Sequence, residues 1–134
     1  MKEVVLRDYL CGRIKLPELL RDLEGTVERL TPPDVRPAQL KYHIEPLGDD
    51  FQLEPEHLLK LIDTLLSGNL SHEALDSIST CLEMSSYFHT AETDEGERVR
   101  TVVDWLANPE IEHGLSPAVL LKMKHYLLTG EDTL

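Results

Sequence analysis

Leu16, Leu19, Leu20, Leu23, Val27 and Leu30 recur at i, i+3, i+4, i+7, i+11 and i+14, the spacing that lays apolar side chains along one stripe of a helix. The pattern predicts a helix over that whole stretch, with Pro17 in its first turn, where a missing N–H costs nothing. A shorter helix precedes it through Val5, Leu6, Tyr9 and Leu10, and Gly12 is placed to end it in a left-handed conformation. The two form a predicted helical hairpin. Three prolines in Thr31-Pro32-Pro33-Asp34-Val35-Arg36-Pro37 then make a connector, because each fixes its own backbone and restricts its predecessor.

Beyond the connector, Lys41 to Glu45 and Phe51 to Leu53 alternate weakly, with Pro46 to Asp50 as a turn, which predicts a short hairpin near residues 41–53. Pro55 opens a helix carrying Leu58, Leu59, Leu61, Ile62, Leu65 and Leu66, apolar over so wide an arc that it is expected at the centre of the core. Gly68 ends it. Ser71 caps the next helix, which includes Leu75, Ile78, Cys81 and Leu82 and runs toward Tyr87 and Phe88. Asp94 and Glu97 resemble a capping box at the start of a helix burying Val99, Val102, Val103 and Leu106. Asn108-Pro109 stops it, and Ser116-Pro117 starts a last helix with Val119, Leu120, Met123, Tyr126 and Leu127 inward and Gly130 at its end. The expected fold is all-α, a single domain over residues 1–134 built as a bundle of five or six helices with one short hairpin.

Gly12, Gly68 and Gly130 each follow an apolar pair and one spacer, at intervals of 56 and 62 residues. Those intervals are too long and too unequal for a solenoid. Three uses of one helix-stop device explain them.

Composition narrows the function classes. The net charge is −12, and its placement matters more than its size. Residues 1–42 hold eight Lys or Arg against seven Asp or Glu; residues 43–112 hold three against sixteen; residues 113–134 hold two of each. A field of that sign repels phosphate backbones, and seven aromatics offer little base stacking, so direct nucleic-acid binding is disfavoured and a basic protein partner favoured. The longest apolar run, Ala118 to Leu121, is far below the roughly 20 residues of a membrane span. The N-terminal residues lack the apolar centre and cleavage site of a signal peptide, which makes a cytoplasmic location the expectation. Cys11 and Cys81 sit among apolar neighbours and read as two buried thiols.

Catalytic signatures are missing. No glycine-rich phosphate loop, nucleophile elbow or catalytic-cysteine motif occurs, and a lone Glu54-x-x-His57 is not the repeated pattern of a di-iron bundle. His43, His57, His72, His89, His113 and His125 are dispersed, and none belongs to a zinc-type cluster. The expectation is therefore a protein with no catalytic residue, no metal and no cofactor. The candidate partner-binding residues are Asp94, Glu95, Glu97, Asp104, Glu110 and Glu112, acidic positions in two loops flanking one helix, with Trp105 as an aromatic anchor. Core packing is the competing role for Trp105.

Leu65-Leu66-Ser67-Gly68-Asn69-Leu70-Ser71, Leu82-Glu83-Met84-Ser85-Ser86-Tyr87-Phe88 before an acidic loop, and Asn108-Pro109-Glu110-Ile111-Glu112 leading into Leu115-Ser116-Pro117 together resemble small bacterial immunity proteins encoded beside polymorphic or contact-dependent toxins. The resemblance covers Leu58 to Glu131. It implies a protein that neutralises a cognate toxin by occluding its active site or an essential surface, without cofactor or turnover. Where that family carries a bulkier residue and a proline after its Pro-Glu-Ile element, this chain has Glu112-His113-Gly114. A regulatory or scaffolding module for an unrelated protein partner is the alternative.

Overall fold

Gly25 decides how the N-terminal part folds. Its backbone is left-handed, at φ +74°, a conformation that costs a side-chain-bearing residue roughly 1–2 kcal/mol, and the β-branched Thr26 and Val27 that follow favour extended backbone. In the computed structural model, which describes residues 1–109 and 115–134, the second helix accordingly ends well short of Leu30. Helix α1 spans Glu3–Leu10, α2 spans Leu16–Leu23, and strand β1 takes Val27–Arg29. The leucine stripe is thus helical over its first half only, and Val27 and Leu30 are exposed.

The partner of β1 is β2, Leu40–Tyr42, in an antiparallel register of Val27 with Tyr42 and Arg29 with Leu40. The proline connector is the loop between them. Prolines leave carbonyls without donating N–H groups, and Arg29 supplies donors: its guanidinium reaches the carbonyls of Pro32 at 3.2 Å and Val35 at 2.9 Å. Main-chain bonds complete this part, from the Met1 amino group to the His43 carbonyl at 2.8 Å and from Glu3 N–H to the Glu45 carbonyl at 3.0 Å. Glu3 is buried, and its carboxylate accepts from the Leu47 N–H at 2.8 Å. These elements form one compact unit, Met1–Leu47.

Residues 48–134 form a second unit. It holds β3 (Phe51–Gln52), α3 (Pro55–Leu66), α4 (His72–Met84), β4 (Phe88–His89), α5 (Asp94–Ala107) and α6 (Pro117–Thr129). Among the described residues the chain therefore has six helices and four short strands, mainly helical as expected. The hairpin over 41–53 does not form. Its two halves belong to different sheets: β2 pairs with β1, while β3 pairs in parallel with β4, Phe51 opposite Phe88 and Gln52 opposite His89. Phe88 is consequently not a continuation of α4, which stops at Ser85, where the backbone turns extended and the side chain accepts from Tyr87 N–H at 3.0 Å.

Helix starts follow their sequence signals closely. Ser71 and Ser116 accept from the N–H groups of Ala74 and Val119, and Pro117 occupies the first turn of α6. One start differs by a residue: the cap of α5 is Thr93, accepting from Gly96 N–H at 3.1 Å, so Asp94 and Glu97 do not form a capping box. Gly96 is required there, because a Cβ at that position would collide with the backbone carbonyl of Ala91. The stops are equally regular. Gly12, Gly68 and Gly130 all have φ between +77° and +79°, so their similarity is a shared helix-stop device.

The core of this unit is aliphatic, with Leu58, Leu61, Ile62, Ile78, Val99, Val102 and Met123 fully buried. Helix α3 supplies three of these, but the helix that touches the other three is α5, while α3 packs on α5 and α6. Lys124 of α6 bridges Asp63 of α3 at 2.9 Å. Ser79 is also buried, and its hydroxyl has no hydrogen-bond partner among the described residues. Cys81 is buried and Cys11 half-buried, and neither forms a disulfide.

Among the described histidines, His57 is the exception. It is buried at the start of α3, where its Nδ1 accepts from the Glu54 N–H at 2.9 Å and its ring lies 5.1 Å from that of Phe51. Burial lowers its pKa from the ordinary value, against the raising influence of Glu56 and Glu54.

Candidate partner-binding surface

Thr93, by capping α5, sets Asp94, Glu95 and Glu97 in the first turn of that helix, all exposed. Negative side chains there complement the exposed N–H groups of the helix terminus, so part of this acidity has a structural role. Glu97 is already engaged by Arg100 at 3.6 Å. Asp104 is exposed ten residues further along the same helix. Glu110 and Glu112 lie outside the described residues, as does the Glu112-His113-Gly114 departure.

Trp105 is placed differently from its expected role as an anchor. It is 7% exposed, with its ring centroid 5.0 Å from that of Tyr126 at an interplanar angle of 50°. The helical period explains this: Trp105 is one residue beyond Asp104, rotated about 100° from it and toward α6. It belongs to the packing between α5 and α6, not to an exposed surface.

The structure brings Asp104 together with residues that sequence reasoning did not select. A cleft of about 410 Å³ opens where the end of α4, β4 and the middle of α5 meet. Its floor is apolar, made by Leu53, Leu82, Phe88 and Val103, each at most 6% exposed. Three carboxylates, Glu83, Glu92 and Asp104, line its rim. None of the three forms an ion pair with another described residue. Partial desolvation, and secondarily the negative charge of Asp104, raise the pKa of Glu83 above its ordinary value.

Arg100 and His89 also line this cleft, and each is engaged by another side chain. Arg100 turns toward Glu97 and donates to the Thr90 hydroxyl at 3.3 Å. The His89 ring faces Asp50 at 3.0 Å. The cleft thus presents net negative charge over an apolar base.

Part of this was legible in the chain. Arg100, Val103 and Asp104 stand at i, i+3 and i+4, one face of α5. What brings Glu83 to that face is the packing of α4 on α5, a long-range contact with no local signal, while Glu92 stands just before the start of α5. Among the described residues, no group of three or more His, Cys, Asp or Glu is gathered to hold a metal ion. No helix there is long and apolar enough to cross a membrane.

Compared with protein-family models, with curated proteins and with solved structures, the chain matches none.

Proposed function

We propose that this chain is a non-catalytic protein-binding domain that neutralises a basic protein by covering it, in the manner of the immunity proteins its second half resembles, with a nuclease-type toxin as the target. The observation that carries this reading is the distribution of charge between the two units. Residues 1–47 hold eight basic and eight acidic side chains, whereas residues 48–134 hold five and seventeen, so the whole net charge of −12 belongs to the second unit. Solubility would be served by charge spread over both. Concentrated negative potential instead speeds encounter with a cationic partner and penalises acidic competitors.

Capture from cells that express the chain, followed by identification of what is bound, tests this directly. The expected partner is basic, and its activity is lost when the two are mixed in equal amounts. A partner that is neutral or acidic, or that stays fully active in the complex, contradicts the reading.

A further inference from the structure

The hairpin of β1 and β2 is open to solvent. Every residue of β1 is exposed, as are Leu40 and Lys41 of β2, and Val27, Leu30 and Leu40 stand 38%, 55% and 46% exposed. Two strands with uncovered apolar side chains are marginal in water, and further strands are the ordinary remedy.

The two edges of this sheet differ. Past Tyr42 the chain's own N-terminus covers the β2 side: the Met1 amino group donates to the His43 carbonyl at 2.8 Å, the Glu45 N–H donates to the Met1 carbonyl at 2.8 Å, and Lys2 lies opposite Glu45. On its outer side β1 has no neighbouring strand among the described residues. Which of its groups face outward follows from the ladder. The His43 N–H donates to the Thr26 carbonyl, and the Leu30 N–H to the Gln39 carbonyl. Antiparallel pairs alternate between bonded and non-bonded, so Val27 and Arg29 turn both of their main-chain groups away from β2.

We propose that β1 pairs antiparallel with β1 of a second copy of this chain, about a two-fold axis at Glu28, joining two hairpins into a four-stranded sheet. The edge is complementary to itself. With Glu28 on the axis, Val27 of each copy faces Arg29 of the other. Both carry outward N–H and C=O groups, so each such pair exchanges two hydrogen bonds. Opposed residues share a face of a sheet, which places Val27, Arg29, Leu40 and Tyr42 together and carries that face across the axis.

Charge favours a second copy and favours this place on it. Two chains of net charge −12 repel one another, but the excess lies wholly in residues 48–134 and residues 1–47 are neutral. A basic partner is drawn to the second unit; a neutral edge whose hydrogen-bonding pattern repeats under a two-fold suits another copy. Each Glu28 has its own Lys41 across the ladder and the His43 ring at 2.7 Å, which offsets the meeting of the two Glu28 carboxylates. The contact is short, well under the roughly 1,200–2,000 Å² of stable complexes, so the association is weak and concentration-dependent. It uses none of the acidic residues of the second unit and stands apart from the proposed function.

Sedimentation equilibrium of the full chain, from micromolar to millimolar concentration at moderate salt, tests this. The mean mass is expected to rise with concentration toward that of two chains and no further. Val27→Pro deletes an outward N–H that the ladder with β2 does not use and should weaken the association at least tenfold. A retained Hα–Hα contact between Arg29 and Leu40 establishes that the hairpin is kept in that variant. Asp94→Asn/Glu95→Gln should leave the association within threefold. Disulfide capture reads the register: with Cys11→Ser in both chains, Glu28→Cys should crosslink under mild oxidation at least tenfold faster than Lys41→Cys, because position 28 meets itself across the axis while position 41 lies a further strand out on each side. A mass constant at one chain, growth past two chains, undiminished association of Val27→Pro, or equal crosslinking at positions 28 and 41 would each overturn the proposal.

Discussion

Gly96 reverses the ordinary rule for glycine in a helix. Replacing an interior glycine by alanine normally stabilises a helix by roughly 0.5–1 kcal/mol. Here the added methyl group meets the Ala91 carbonyl, and forcing an atom into filled space costs about 1–3 kcal/mol. Gly96→Ala is therefore expected to lower the unfolding free energy by about 1–2 kcal/mol, read as a lower urea midpoint. Ser79 carries the opposite expectation. Its buried hydroxyl has lost water without gaining a described partner, so Ser79→Ala should raise stability by up to about 1 kcal/mol. His57 adds a dependence on pH. Its pKa is lower in the folded chain than in the unfolded one, so the unfolded state binds the extra proton. Its contribution is complete above about pH 6.5 and declines as the pH falls from there toward the lowered folded value. Protonation of Nδ1 would also remove the acceptor for the Glu54 N–H. Between pH 7.5 and 5.5, denaturation of the unaltered chain should show a larger loss than that of His57→Gln, and equal losses would refute the assignment.

At the scale of elements, legibility followed the range of the interactions responsible. Ser71, Ser116, Pro55, Pro117, Gly68 and Gly130 act within one helical turn, and the helix bounds they mark are the ones found. The errors lie where a partner distant in sequence decides. Val27 fits the leucine stripe but pairs with Tyr42, fifteen residues on, and Phe51 pairs with Phe88, thirty-seven residues away. Two-residue strands carry too little alternation to announce either partner. The candidate site divides the same way: the acidic turn of α5 is local and was found, whereas Glu83 reaches Asp104 through the packing of α4 on α5. Trp105 gives this scale its sharpest prediction. Because it joins α5 to α6 through Tyr126, Trp105→Ala should cost about 3–5 kcal/mol of stability, measured by denaturant unfolding. An exposed anchor would instead leave the unfolding midpoint unchanged.

Across the whole molecule, charge and structure divide along the same boundary. The first unit is neutral and stitched by main-chain bonds from Met1 and Glu3 to His43 and Glu45. The second carries the entire charge excess. Salt screens exposed charges over about 10 Å at 0.1 M and about 3 Å at 1 M, which makes ionic strength the direct probe of a charge-led interface. The deciding measurement is the affinity of the captured basic partner, titrated calorimetrically at about 0.1 M and about 1 M salt. If the acidic second unit forms the contact, affinity falls at least tenfold at the higher salt. An affinity equal at both would contradict the account.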